Sequence, residues 1–344
     1  MERKTAKSLT KLLLASLLAI LSFAGCTDKN IANKATFELG AAIFSDSNLS
    51  ADLTVSCQNC HDPQLAFSSQ SPRGVGVYGL ESTRNAPSLL GLSDVQNFFW
   101  DGREASLDSA VLQPFTNQVE MGLANTQILV DAVAAQKRYG PLFKAAFGTE
   151  EVTKERIARS LSAYLQSLPS GGASYDDYVS DPVKHPLSEN QLAGLKLFSG
   201  RAGCSECHSL AGSPATFSDG KFHHAGIGFE RVAGNVRPLL EKLDDAHERL
   251  AVGQAVLEDQ ALAELGRFVS TRAPSDLGAF RTPSLRNVAI TQPYMHDGSI
   301  ATLREAVERE IYYRSLSAGK PISLTVEEQQ QLVDFLSTLN TQHQ

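Results

Sequence analysis

The chain is poor in several things that would point elsewhere. No basic run or patch stands out in its mature part, and 31 Lys and Arg against 38 Asp and Glu leave a net charge of −7 over 344 residues. That argues against nucleic acid as a partner, and the mild acidity suits a basic partner without naming one. Alternating apolar and polar runs are scarce, so little sheet is expected. One long apolar run, Leu12 to Phe23, is too short and one-sided for a membrane span. Tryptophan occurs once, methionine three times and cysteine five times. What is present is an ordinary hydrophobic content of 42% and a length that fits about two domains.

The first 26 residues read as a targeting segment. Arg3, Lys4, Lys7 and Lys11 make a positive n-region ahead of the apolar run. Ala24-Gly25-Cys26 resembles a bacterial lipoprotein cleavage box, with Phe23 where Leu is usual. In such boxes the cysteine is acylated and becomes the new N-terminus. An ordinary signal peptide that happens to contain a cysteine is the alternative. Thr27 follows where Asp would favour the inner membrane, so the expected location is the periplasm, anchored by lipid at the outer membrane. A polar tether, 27–35, leads to a first unit, 36–168. A breaker-rich linker, 169–187, follows and contains Pro169-Ser170-Gly171-Gly172. The second unit is 188–344, opening on a capping box, Ser188 to Gln191.

The two units look like a weak internal repeat. Gly40 and Phe44 stand four apart before the first C-x-x-C, and Gly194 and Phe198 do so before the second. Apolar spacing predicts helices in Thr126–Arg138, Glu151–Leu168 and Val326–Leu339, and one or two more in Leu239–Phe268. Long loops such as Asp62–Arg84 call for a cofactor to wrap or a function to serve.

With Cys26 assigned to the leader, four cysteines remain, and both pairs are followed by histidine: Cys57-Gln58-Asn59-Cys60-His61 and Cys204-Ser205-Glu206-Cys207-His208. This is the pattern of covalent haem attachment. Two thiols add to the vinyl groups, and the next imidazole faces the iron. A zinc ribbon places its pairs about 15–20 residues apart, whereas these begin 147 apart. A thioredoxin-type motif needs a βαβ context that is missing. The expected fold is therefore mostly α, with two c-type cytochrome-like haem domains in tandem joined by long loops. A pure electron carrier needs no open iron. An enzyme needs one open sixth position with an acid or base beside it.

From Phe37 to about Leu339 the chain resembles the bacterial dihaem cytochrome c peroxidase and MauG superfamily. Leu39-Gly40 through Ser45-Asp46 and Leu49-Ser50, Phe99-Trp100-Asp101-Gly102-Arg103, and Pro114 through Asn117-Gln118-Val119-Glu120-Met121 carry the likeness in the first unit. Phe217-Ser218-Asp219-Gly220-Lys221-Phe222-His223, Arg281-Thr282-Pro283-Ser284-Leu285-Arg286-Asn287-Val288 and Pro293-Tyr294-Met295-His296-Asp297-Gly298-Ser299 carry it in the second. The resemblance implies that Glu120 is the acid/base over an open N-terminal haem, taking a proton from hydrogen peroxide and returning it to the leaving oxygen. It implies that Pro114 crowds the same face, and that Trp100 relays electrons between the haems. It implies calcium between the domains, held by oxygens of Asn85, Thr291 and Pro293. Without it, Glu120 is a surface carboxylate, Trp100 a packing residue and the other three are loop residues.

Two departures from the peroxidase pattern matter. Conventional members block the N-terminal iron with a histidine in the loop after the first haem motif, and 62–99 contains none. This iron is therefore expected to be open when oxidised, as in the MauG branch. Conventional members also ligate the C-terminal iron with a methionine, and laid without gaps that position is Glu310. MauG-like members use a tyrosine. Tyr312 is the first choice here, Tyr313 the second and Glu310 the third. A phenolate would lower the potential relative to Met.

The function so implied is reduction of hydrogen peroxide at the N-terminal haem, with electrons passed through the C-terminal haem from a small redox protein, a cytochrome c or a cupredoxin. The alternative is a MauG-like enzyme that spends the oxidising equivalents on residues, such as tryptophan, of a protein partner. A reading of another class is a non-catalytic dihaem electron-transfer lipoprotein, against which Glu120 argues.

Overall fold

The structure, a computed structural model, describes residues 34–249, 252–317 and 319–341. The leader and Cys26 lie outside them. Among the described residues no helix is long and apolar enough to cross a membrane. The one sheet among the described residues is a two-residue antiparallel pair, Phe222–His223 with Phe280–Arg281.

The repeat in the sequence becomes two equivalent helix crossings. In the first half, a helix over 34–44 lies on Lys154–Gln166. A Cβ on Gly40 would stand 2.0 Å from the Ser160 carbonyl oxygen and 2.8 Å from Tyr164 Cβ. In the second half, Glu189–Ser199 lies on Val326–Ser337. There a Cβ on Gly194 would stand 1.9 Å from the Gln331 carbonyl oxygen and 2.7 Å from Phe335 Cβ. Each crossing is finished by a ring pair one turn on: Phe44 against Tyr164 at 5.2 Å and Phe198 against Phe335 at 5.1 Å. The backbones approach this closely only because glycine has no side chain.

The helices begin where the sequence supplies caps. Ser188 and Gln191 exchange their side-chain and backbone bonds, and Thr325 and Glu328 do the same. Thr153 Oγ1 accepts from Arg156 N–H at the start of Lys154–Gln166.

Two apolar cores follow, one drawn from residues between Leu39 and Leu165, the other from residues between Tyr175 and Leu339. A third, smaller core, Val232 to Val269, forms inside the second half. Its segment was expected to hold one or two helices. It holds Val236–Arg249, Val252–Glu258, Gln260–Ala263 and Phe268–Thr271, with Asp259 capping the third. This bundle reaches back to the first half. Thr83 Oγ1 donates to the Val256 carbonyl at 2.6 Å, Arg84 Nη2 to that of Ala263 at 2.6 Å, and the Gln118 N–H to Gln254 Oε1 at 2.9 Å.

Arg286 ties the second core together. Its guanidinium grips Asp176 through two bonds of 2.6 and 2.7 Å, while Nε donates to the Ala215 carbonyl at 2.8 Å. Burial pushes the Asp176 carboxyl up, but the hydrogen bonds and charge of Arg286 together with the backbone N–H groups of Ala173 and Gly172 outweigh it and hold the group below its ordinary value. This contribution is present above the unfolded carboxyl's pKa and is lost as pH falls through the depressed one. Arg286→Met, measured by urea unfolding of the haem-loaded protein, is expected to cost about 3 kcal/mol, since a charge is left partly buried without its partner.

Candidate active site

Each Cys-x-x-Cys-His segment is a tight turn whose three donors face one cavity. Ser56 N–H donates to Asn59 Oδ1 at 2.8 Å, opening the single turn Cys57–Cys60, and His61 follows at its C-cap. Cys57, Cys60 and His61 line one cavity; Cys204, Cys207 and His208 line a second. No disulfide joins these four cysteines. Burial pushes the thiols of Cys57 and Cys204 up to about 12, with nearby charges acting on both, and that of Cys60 to about 11. Two thiols and the following histidine on the wall of one cavity suit covalent bonding to a macrocycle.

The histidines are oriented alike. His61 Nδ1 lies 3.1 Å from the Phe67 carbonyl oxygen, and His208 Nδ1 lies 2.9 Å from that of Phe217. A carbonyl only accepts, so Nδ1 carries the proton and Nε2 keeps its lone pair for a metal. Burial lowers His61 to about 4 and lowers His208 as well, so both rings stay neutral. Phe67 and Phe217 are held at positive φ, 56° and 51°. Their rings pack on the helix crossings: Phe67 on Phe44 at 6.0 Å, Phe217 on Phe198 at 6.3 Å. The fold thus aims each proximal imidazole through one phenylalanine.

Pro114 and Glu120 line the same first cavity. The Gln113–Thr116 turn carries Pro114, whose carbonyl accepts from Met121 N–H at 3.1 Å. Glu120 N–H donates to the Asn117 carbonyl at 3.1 Å, and its own carbonyl accepts from Val77 N–H at 2.8 Å. The loop comes this close because residue 76 is glycine; a Cβ there would lie 2.2 Å from the Val119 oxygen. Burial raises the Glu120 carboxyl to about 7, with the Arg103 charge pulling the other way. A carboxyl so placed exchanges a proton near neutral pH. Among the described residues lining this cavity the one imidazole is His61. The long loop supplies glycine at 74 and 76, serine at 82 and arginine at 84 in place of a blocking ligand.

Three arginines not singled out from the sequence belong to the site. Arg84 is 6% exposed and lines the first cavity with Nε and Nη1 unpartnered. Two orphaned donors on a buried cation are costly unless an anion meets them, and haem propionates are such anions. Arg103 lines the same cavity, bound to the fully buried Asp101 at 2.9 Å and stacked 3.6 Å over the Phe99 ring. Arg281 lines both cavities, and desolvation lowers its pKa. Arg103 and Arg281 stand inside motifs already noted, and Arg84 immediately precedes Asn85; their arginine chemistry was the available signal.

Trp100 lines both cavities, as do Asn85, Ala86, Pro87 and Ser88, so it stands in the wall between them. Its Nε1 donates to the Asn85 carbonyl at 2.9 Å, and its carbonyl accepts from Arg281 N–H at 2.9 Å. Gly102 allows this docking, since a Cβ would meet the Phe222 ring at 2.3 Å. Asn85, Thr291 and Pro293 all line the second cavity. Asn85 Nδ2 is directed at the Ser71 and Pro72 carbonyls at 3.4 and 3.3 Å.

The expectation for the second axial position needs correction. Tyr312 is 55% exposed, its ring edge-on to Tyr313 at 5.2 Å. Tyr313 packs over Gly226. Neither lines the second cavity; Glu310, on the same helix, does. The physical reason is helical phase. Glu310 stands four residues from both Ala306 and Arg314, which also line the cavity, and Tyr312 is rotated by about 200°.

These features have close counterparts elsewhere. Residues 34–184 match the family model of di-haem cytochrome c peroxidase. The methylamine utilization protein MauG of Methylorubrum extorquens is 32% identical over 310 residues, covering 88% of this chain and 78% of that one. The cytochrome c551 peroxidase of Nitrosomonas europaea is 30% identical over 271 residues, covering 79% and 71%. Among solved structures, a MauG-like protein associated with microbial copper homeostasis superposes with a TM-score of 0.72 at 28% identity, over 90% of both chains. The diheme peroxidase BthA of Burkholderia thailandensis gives 0.68 at 27% identity, over 89% and 86%. Two Cys-x-x-Cys-His cavities on two like helix crossings, with this likeness along the chain, make it a dihaem c-type oxidoreductase of the di-haem cytochrome c peroxidase family.

Proposed function

We propose that this protein reduces hydrogen peroxide at the N-terminal haem, held by Cys57, Cys60 and His61, with electrons delivered through the C-terminal haem, held by Cys204, Cys207 and His208. The observation that carries the reading is Glu120, a half-buried carboxyl that lines the same cavity as His61 and is raised to about 7. The haem bound there supplies the iron at which the O–O bond is broken. Glu120 accepts the proton of the near peroxide oxygen and hands it to the far one, which leaves as water. The balance is one peroxide, two electrons and two protons to two waters. Pro114 narrows the same face, and Arg84 and Arg103 hold the propionates and the local positive charge. A small redox protein, cytochrome c or cupredoxin, is the electron donor. Calcium between Asn85, Thr291 and Pro293 stiffens the wall that carries Trp100. The protein works in the periplasm, tethered by lipid on Cys26.

A second reading has its own support. The loop over the first cavity carries no histidine, so nothing in it blocks the iron of the oxidised protein. Such a protein can take up oxidising equivalents before any reductant arrives and use them on residues of a protein partner, as a MauG-like enzyme does. Adding hydrogen peroxide to the fully oxidised two-haem protein separates the readings. Immediate spectral change at both haems favours the second. Reaction only after one haem is reduced favours a conventional peroxidase.

Trp100→Phe tests the relay. It keeps ring packing but loses the Nε1 bond to Asn85 and an easily oxidised ring. Transfer between the haems, followed by stopped flow, is expected to slow at least about tenfold, equivalent to about 1.4 kcal/mol of barrier, with both haems still attached.

A further inference from the structure

The helix Leu303–Ser317 forms one wall of the second cavity. Among the described residues, five side chains lining that cavity, besides the Cys-x-x-Cys-His set, offer a familiar iron-donor atom: Tyr294, Met295, His296, His223 and Glu310. Two are committed elsewhere. Tyr294 OH donates to the Val288 carbonyl at 2.8 Å, and His296 Nε2 meets Glu264 Oε2 at 2.8 Å while its ring stacks on Phe280 at 3.8 Å. His223 Nε2 is bonded to Asp219 Oδ2 at 2.8 Å, with the Cys207 sulfur in the same cluster, which sets this ring beside the thiol edge of the cavity.

Glu310 differs from the rest as the one acid among them, with the charges of Arg314 and His223 acting on it only from a distance. It forms no hydrogen bond or ion pair among the described residues, while its wall neighbours Leu303, Val307 and Ile311 are apolar. Arg314, one turn on, gives its Nη2 to Glu206 at 2.8 Å. A carboxylate on an apolar wall is unfavourable unless a cation meets it. Met295 carries no charge and creates no such demand, and His223 is already bound to Asp219. The group this cavity takes is a haem whose oxidised iron is positive, and His208 leaves one axial position on it.

We infer that the Glu310 carboxylate is the second axial ligand of the C-terminal haem iron, opposite His208. The inference rests on the assignment of that haem to Cys204, Cys207 and His208. An anionic oxygen donor stabilises the oxidised iron and sets the potential below that of a histidine–methionine pair. A carboxylate is also a weak-field ligand, so the ferric haem is high-spin. The tyrosines of the same helix take no part.

The test is electron paramagnetic resonance and a redox titration of the full two-haem protein, wild type beside Glu310→Met, Glu310→Gln and Tyr312→Phe, with haem counted per chain in each. Two haems in every variant confirm the attachment; fewer than two in the wild type would sink that assignment and this inference with it. With both present, the wild-type C-terminal haem is expected to be high-spin. Glu310→Met is expected to turn it low-spin and move its midpoint upward, Glu310→Gln to change its signal, and Tyr312→Phe to change nothing. The inference is overturned if Glu310→Gln leaves signal and potential as in the wild type. A wild-type C-terminal haem with the low-spin signature of histidine–histidine or histidine–methionine ligation overturns it too, and that spectrum decides the matter even if the variants do not assemble.

Discussion

Glu120→Gln is expected to lower peroxide turnover by about 10²- to 10⁴-fold, the range typical of losing a positioned acid/base, while both haems remain attached. The amide keeps the shape and polarity of the side chain but neither accepts the peroxide proton nor returns it. The pH profile gives a second readout. Burial raises Glu120 to about 7, against the pull of Arg103. The carboxylate is the form that accepts the first proton, so turnover is expected to climb with pH through about 7 and level off above it. The variant should lose that limb. Stability should move the opposite way. A carboxyl whose folded pKa lies above its unfolded value binds more protons when folded, so its contribution is present at low pH and fades as pH rises from the unfolded value, 4.5, through about 7. Glu120→Gln should therefore be as stable as the wild type or slightly more so above neutrality. A variant that loses turnover together with stability and haem would mean that Glu120 only holds the loop.

The parts of this site legible in the sequence are those whose geometry is local. Cys57, Cys60 and His61 lie within a single turn and its cap, so spacing alone brings thiols and imidazole to one face. The glycine-to-phenylalanine step at 40–44 and 194–198 was visible for the same reason, although what each glycine crosses, 120 and 137 residues onward in sequence, was not. Glu120 and Trp100 are ordinary residue types, and family resemblance had to place them. The tyrosine expectation failed on rotation. Residues 303–317 carry charges at Arg304, Glu305, Glu308, Arg309, Glu310 and Arg314, so no clean apolar stripe says which side faces in. The third core was missed because amphipathic spacing in 239–268 shows that a face is buried but not against what. Its contacts to Thr83, Arg84 and Gln118 span more than 130 residues.

The glycine crossings carry the largest expected stability effect. In Gly194→Ala the new Cβ would stand 1.9 Å from the Gln331 carbonyl oxygen, and in Gly40→Ala 2.0 Å from that of Ser160. Both obstacles are helix backbone, so no rotamer change relieves them and the helices must part. Overpacking in a tight core costs about 1–3 kcal/mol and sometimes more; with backbone against Cβ we expect at least about 3 kcal/mol by urea unfolding. Gly234→Ala is the control: nothing lies within 4 Å of its Cβ, and an exposed change of this kind stays within about 0.5 kcal/mol. The effect should also reach the chemistry of the affected half. Parting the crossing at Gly194 shifts Phe198, which packs on Phe217, whose carbonyl holds His208 Nδ1. Gly194→Ala should therefore disturb the spectrum of the C-terminal haem and spare the other, and Gly40→Ala should do the reverse through Phe44, Phe67 and His61. Equal disturbance of both haems by either variant would show that the two halves do not orient their histidines independently.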